Sequence, residues 1–323
     1  MKAILQRRYG GVEVVELVER HIPEPAANQV QIKVMAAGVD RGTYHLLTGK
    51  PYLLRLFGFG LRAPKVQTPG RDVAGVVTAL GSAVHGFKIG DEVFGVCQGS
   101  YAEYALGSER SLALKPETLS FQQAAALPAS SVTALRAIRE VAKLEAGQRV
   151  LILGASGGVG SFAVQLAHSL GARVTGVSGP GGLELIRSLG AERALDYTLD
   201  GLEAEKDFDA ILDIAGGRPL NQLRRMLSRK GVLVVIGTEQ GGPWTGGVGR
   251  SLRANLLSPW VSQRLSALVS FEDAEALVAV RELVDAGAIT PAIERSYPLD
   301  QAAQAIRHVG EGHTLGKVVI TVA

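Results

Sequence analysis

Residues 149–171 (RVLILGASGGVGSFAVQLAHSLG) restrict the fold more than any other part of the chain. Val150, Leu151, Ile152 and Leu153 form a short apolar run with two β-branched residues, the pattern of a buried strand in a parallel sheet. Gly154, Gly157, Gly158 and Gly160 follow. Val159, Phe162, Ala163, Leu166, Ala167 and Leu170 then recur at helical spacing as far as Gly171, a helix-stop position. Strand, glycine turn and helix in that order present the N–H groups and positive dipole end of a helix start to a pyrophosphate. Glycine lets the ligand approach the backbone and lets the helix lie close to the strand. Ala155 stands at the first glycine of the G-x-G-x-x-G pattern, so the motif depends on its context. That context is present: 173–177 (RVTGV), 208–214 (FDAILDI) and 231–237 (GVLVVIG) read as further strands, with helical patterns between them, as βαβ units require.

A chain of 323 residues is long for one domain and comfortable for two. The net charge of +3 is too small to point to nucleic acid, although the pI of 9.0 gives a basic tilt. A single cysteine excludes an intrachain disulfide and any multi-cysteine zinc site, and Cys97 reads as a packed core thiol. No segment is apolar enough to span a bilayer and MKAILQRRYGG lacks the apolar run of a signal peptide, so the expectation is a cytoplasmic protein with no membrane partner.

The chain changes character along its length. Val12, Val14 and Leu17, then Val30, Ile32 and Val34, alternate around Pro23, Pro25 and Asn28; 73–77, 93–96 and 112–114 add short strands broken by turn residues. This is an all-β, barrel-like region. Helical patterning begins near Phe121. An amphipathic helix is expected over 272–285, stopped by Gly287. The tail alternates again over 289–297, then gives a short helix over 300–308 and a strand over 317–322 that returns to the first region. The expected domains are therefore 1–120 with 288–323, and 121–287.

Several motifs occur in a fixed order: TPGRDVAG at 68–75, GDEVFG at 90–95, AALP at 125–128 with Thr133-Ala134, GASGGVG at 154–160, SLGA at 188–191 and Gly316-Lys317. In this order the chain resembles the medium-chain dehydrogenase/reductase superfamily over nearly its full length. Within it the chain is similar to the zinc-free quinone oxidoreductase and zeta-crystallin branch, and also to bacterial proteins named alcohol dehydrogenases. The resemblance implies an α/β protein: a GroES-like β-barrel catalytic domain, a Rossmann domain with a doubly wound parallel sheet, and a cleft between them where nicotinamide meets substrate.

The resemblance also locates the positions that hold catalytic zinc in metal-dependent members. Asp40 stands where they have a cysteine and Arg71 where they have a histidine, and the cysteine-rich loop for structural zinc is missing. Arginine stays protonated and cannot ligate zinc, so no metal is expected. Without a Lewis acid, simple alcohol oxidation is disfavoured; an electron-poor C=C or quinone is already activated. For the cofactor, the end of the second strand reads VSGPGG over 177–182, without the acid that would bind a ribose 2′-OH. Ser178 as a donor and Tyr197 as a flanking ring favour NADPH. The basic residue that relatives carry near Gly181 is absent, which leaves NADH open. Ser156, Gly157, Gly158 and Val159 are expected at the diphosphate. The resemblance assigns Thr133, Ile236, Gly237 and Thr238 to the nicotinamide end.

The segment Asp40-Arg-Gly-Thr-Tyr-His45 supplies the candidates for chemistry. Tyr44 can hydrogen-bond a substrate oxygen, His45 can relay a proton and Asp40 can orient either; alternatively Tyr44 lines an apolar wall and His45 lies at the surface. The aromatic stretch 52–61 (YLLRLFGFGL), with Tyr52 and Phe57, reads as the mouth for a flat hydrophobic electrophile or as a loop covering the first core. Residues 244–260 read as the opposite wall, with Arg250 and Arg253 solvated. Lys317 faces the cofactor or solvent. Between Leu265 and Ser270, LSALVS reads as an edge strand; the resemblance implies pairing with a twofold mate in a homodimer. A second reading, a non-catalytic NADPH-binding structural or RNA-associated protein, is prompted by the resemblance to zeta-crystallin and by the pI of 9.0; the sequence gives it little help, because the basic residues are scattered and no aromatic-basic motif for single strands appears.

Overall fold

Strand β8 (Arg149–Leu153) runs through the middle of a six-stranded sheet, and its three central side chains are fully buried. The computed structural model describes residues 1–53, 55–199, 201–237 and 242–322, without the side chains of residues 57, 58 and 203. The described chain divides into two compact units, Met1–Val132 with Phe271–Ala323, and Thr133–Ser270.

In the second unit β8 is joined by β9 (Arg173–Ser178), β10 (Arg193–Asp196), β11 (Phe208–Asp213), β12 (Leu227–Val235) and β13 (Arg264–Ala267) in the spatial order β10-β9-β8-β11-β12-β13. Every pairing is parallel. The crossovers carry α4 (Gly158–Ser169), α5 (Leu183–Ser188), α6 (Leu220–Met226) and α7 (Val248–Leu257). Helices on a parallel sheet bury it on both faces, which is why the central strands carry unbroken buried apolar runs, 150–153 in β8 and 210–212 in β11. This is the Rossmann-like half, with β13 at its edge.

The first unit is mostly antiparallel. Strands β3 (Val30–Val39), β4 (Asp72–Leu80), β5 (Glu92–Val96) and β7 (Leu112–Leu114) continue from β14 (Ile293–Pro298) and β15 (Lys317–Thr321), with β6 (Tyr104–Gly107) also on β3. Strands β1 (Lys2–Gln6) and β2 (Val15–Glu19) form a separate pair. Residues 12–14, expected to open a strand, form a 3-10 turn; the Glu13 carboxylate accepts from the Gly11 N–H at 2.9 Å and holds the chain turned there. Val30, Ile32, Val34, Val73, Tyr101 and Ile306 share the core of this GroES-like unit.

Packing draws the unit edges differently from the expected 120/121 and 287/288. Helix α2 (Phe121–Ala125), the first turn of α3 (Pro128–Arg136) and α8 (Ala274–Asp285) group with the β-rich unit. The face of α8 bearing Ala276, Leu277, Val280 and Val284 is buried, and Leu277 lies against Gly95 of β5. Helical spacing reveals a buried face but not which sheet it covers. Helices α1 (Arg41–Thr48) and α9 (Ala302–Glu311) complete the unit. Among the described residues no helix is long and apolar enough to cross a membrane.

Candidate active site

The turn after β8 is built as its glycines require. Gly154 takes φ +83°, and its N–H and that of Ala155 donate to the Val177 carbonyl at 3.1 and 2.9 Å, drawing the turn towards the end of β9. Ala155 packs against Gly176, where a side chain would collide with it. At Gly160 a Cβ would press on the carbonyl of Gly154 and the backbone of Ala155, so only glycine lets α4 sit this close to the strand. The N–H groups of Gly158, Val159 and Gly160 have no partner among the described residues. At Gly157 a Cβ would meet nothing nearer than the Gly154 carbonyl at 3.6 Å, so the space over this helix start is open. Three unpaired donors, the helix dipole and that space make an anion cradle.

At the end of β9 the Ser178 hydroxyl donates to the Ser156 hydroxyl at 2.8 Å, with the Gly179 carbonyl at 3.0 Å. Gly182 closes over both serines, leaving no room for its own side chain, and Ser178 is buried. The ring of Tyr197 lies against Gly179, half exposed, and its N–H donates to the Ser178 carbonyl at 3.0 Å. Ser156, Gly157, Gly158, Val159, Ser178 and Tyr197 therefore converge. Ile236 and Gly237 follow β12, and both donate to the Asp213 carbonyl, at 3.0 and 3.1 Å. A side chain at Gly237 would run into the Ile214 carbonyl. Thr238 and the side chain of Phe57 lie outside the described residues. Thr133 lies on α3.

Arg250, expected to be solvated, instead forms an ion pair with the buried carboxylate of Asp213 and donates to the Arg218 carbonyl at 2.6 Å. Burial pushes the Asp213 carboxyl up, and Arg250 partly opposes the rise. Asp213 also accepts from the Gly216 N–H at 3.0 Å, so the pair fixes the chain where β11 ends. Arg253 is exposed, as expected.

In the first unit Asp40 is the N-cap of α1. Its carboxylate accepts from the Thr43 N–H at 2.7 Å and from the Thr43 hydroxyl at 3.2 Å. Tyr44 is half-buried: its ring packs against Gly310 of α9, with Arg41 over one face. The Tyr44 hydroxyl has no hydrogen-bond partner among the described residues. His45 Nδ1 donates to the Lys50 carbonyl at 3.0 Å, which sets the tautomer of the neutral ring. Tyr52 and Tyr9 stack on the Arg55 guanidinium at 4.7 and 4.2 Å, joining the aromatic loop to the N-terminal segment.

The densest charge in this unit went unassigned in the sequence. Lys317, at the start of β15, is buried rather than solvated. Its ammonium lies 3.6 Å from Asp72 Oδ2 and donates to the Ser130 hydroxyl at 3.0 Å. Asp72 Oδ1 accepts from the Ala129 N–H at 3.2 Å, so the pair secures the first turn of α3 to β4 and β15. Burial pushes the Asp72 carboxyl up to about 7; Lys317 opposes the rise, Asp40 and Glu272 add to it, and Arg71 opposes it. Arg71 meets Glu272 at 2.7 Å; its guanidinium is partly open while the carboxylate is almost wholly covered. Cys97 is buried nearby, as expected, and burial pushes its thiol up. The signal was available in GRD and GK, but neither motif states that the two charges meet. Among the described residues no three His, Cys, Asp or Glu side chains converge as metal ligands.

Two family models match the chain: alcohol dehydrogenase GroES-like domain over residues 26–117, and zinc-binding dehydrogenase over 189–320. The mitochondrial NAD(P)H oxidoreductase RTN4IP1 of Mus musculus is 35% identical, over 100% of this chain and 89% of the relative. The chloroplast envelope quinone oxidoreductase homolog of Arabidopsis thaliana is 32% identical over 99% and 98%. The solved quinone oxidoreductase of Coxiella burnetii superposes with a TM-score of 0.88 at 31% identity, covering 100% and 99% of the two chains. The chain belongs to the medium-chain dehydrogenase/reductase superfamily, in its quinone oxidoreductase branch.

Proposed function

We propose that this enzyme transfers a hydride from NADPH to a quinone or an α,β-unsaturated carbonyl without a metal ion. The observation behind the reading is the cradle: three unpaired N–H donors at the start of α4, with Ser156 of the same turn bonded to Ser178, the last residue of β9, and Tyr197 just after β10; β9 itself ends in a serine rather than an acid. When bound, the dinucleotide supplies the hydride. The amides of Gly158, Val159 and Gly160 hold its diphosphate. Ser156, which accepts from Ser178 and keeps its own O–H, offers a hydroxyl rather than a charge that would repel a 2′-phosphate, and the Tyr197 ring flanks it. Thr133, Ile236 and Gly237 bound the nicotinamide end. The unpaired Tyr44 hydroxyl donates to the substrate oxygen as negative charge develops there. His45, tautomer-set by Lys50, relays the proton, and Asp40 holds α1 that carries both. Tyr52 contributes to a mouth for a flat, hydrophobic acceptor.

Following NADPH absorbance with a panel of quinones, enals and enones tests this. Loss of a phosphate contact of about 1.5–3 kcal/mol predicts a KM for NADH at least about tenfold above that for NADPH. Washing with chelator should leave the rate unchanged. An NADH preference, or a rate restored only by zinc, overturns the reading.

A homodimer is part of the same proposal. Strand β13 is the outer strand of its sheet, and just beyond it Val269 is 71% exposed. An apolar edge of this kind is protected by pairing. Sedimentation velocity should report a dimer at micromolar protein; a monomer contradicts the pairing.

A further inference from the structure

The first unit holds a cleft of about 600 Å³ that the hydride chemistry above does not use. Its lining includes Arg20, His21, Thr68, Arg71 and Gln98, and no Asp or Glu is among the described residues that line it. The cleft therefore presents cations and neutral donors to a ligand, while Glu272, Asp40 and Asp72 act on Arg71 from outside the lining. Each of its two guanidinium groups has a side-chain partner. Arg20 donates to the Thr68 hydroxyl at 3.3 Å, and Arg71 donates to the Glu272 carboxylate at 2.7 Å. That bond takes one N–H of Arg71 and leaves its other donors unpaired among the described residues. The wall between them is stiff. The N–H groups of Gly99 and Ser100 both donate to the Gly70 carbonyl, at 3.1 and 3.3 Å, and Gly99 presses against Thr68. Gly70 and Gly99 take φ of +94° and +78°, which favours glycine at both positions.

We infer that this cleft binds a small molecule through a carboxylate or phosphate group held between Arg20 and Arg71. Guanidinium forks match the paired oxygens of either anion, Thr68 and Gln98 add neutral donors, and the volume suits a metabolite rather than a bare ion. The anion is either the acidic part of the enzyme's own substrate or a separate effector.

Thermal unfolding of the full chain without dinucleotide, titrated with inorganic phosphate or succinate against sodium chloride of equal ionic strength, reads the binding directly. A saturable rise in Tm is expected, because a ligand that binds only the folded state stabilises it by mass action. Arg20→Gln and Arg71→Lys should each weaken the apparent affinity at least about tenfold, the loss of one charge-assisted contact. Arg71→Lys keeps a cation beside Glu272 and removes only the fork. The start of α4 is a second phosphate site, and the two substitutions separate them. A rise that survives both substitutions, or no rise beyond the chloride control, overturns the inference. If binding is lost as expected, competition between succinate and an acidic quinone assigns the cleft to the substrate, and non-competitive behaviour assigns it to an effector; both results support an anion site.

Discussion

Lys317→Met should destabilise the protein by about 3–5 kcal/mol at pH 8.5, because it leaves the Asp72 carboxylate buried without its countercharge. Both side chains are at most 2% exposed, so water cannot replace the ammonium. Methionine keeps the volume and flexibility of the stem, so the loss reports charge more than a cavity. Ser130 loses that donor as well, and the bond from the Ala129 N–H to Asp72 is left to tie the first turn of α3 to β4.

The pH dependence separates this from ordinary core damage. The folded Asp72 carboxyl sits near 7, above its ordinary value of 3.8. Between those values the folded state holds a proton that the unfolded chain has released. The contribution of Asp72 to stability is therefore greatest below pH 3.8 and is lost as pH rises towards 7, at up to about 1.4 kcal/mol per pH unit. In Lys317→Met the main influence opposing that rise is gone. The loss then continues above pH 7, and the gap between variant and parent widens from pH 6 to pH 8.5. Urea unfolding at pH 6, 7 and 8.5 measures this. Adding Asp72→Asn should recover part of the stability at pH 8.5. A deficit of the same size at every pH means that Lys317 acts only as bulk.

What could be read before the structure was what short-range backbone rules dictate. The turn at 154–160 was legible because each glycine there answers a local demand: a left-handed φ at Gly154 and a close backbone approach at Gly160. The parallel sheet followed from apolar runs spaced by helical patterns. Asp40 was legible as a group that orients its neighbours, but its work as the cap of α1 depends on a helix that starts at Arg41, which the segment by itself does not announce. Lys317 was not legible, because its partner Ser130 lies 187 residues away and a lysine opening a strand looks solvated. Arg250 misled for the same reason: nothing within VGRSLRANLL announces a carboxylate at the end of β11. Helix α8 showed its apolar face but not the sheet beneath it. Local rules reach as far as one element and its neighbours; charges that meet across a core need the topology first.

Gly160→Val should abolish dinucleotide binding, and Gly157→Ala should weaken it with almost no cost in stability. The contrast follows from what each new side chain meets. At Gly160 the added atoms press on backbone of Gly154 and Ala155, which cannot rotate away. Helix α4 must then shift off β8, costing about 1–3 kcal/mol as overpacking and displacing all three cradle amides. Affinity for NADPH should fall at least about a hundredfold, equivalent to about 2.7 kcal/mol. At Gly157 the added methyl has 3.6 Å to the Gly154 carbonyl, and φ is −79°, so the folded protein accommodates alanine. That methyl points into the open space over the helix start. It should raise the NADPH dissociation constant about tenfold while moving stability by no more than about 1 kcal/mol, the ordinary cost of alanine at an N-cap. Fluorescence titration with NADPH and urea unfolding on the same preparations separate the two effects. If Gly157→Ala binds NADPH as tightly as the parent, the diphosphate does not lie on this helix, and the assignment of the cradle fails while the fold stands.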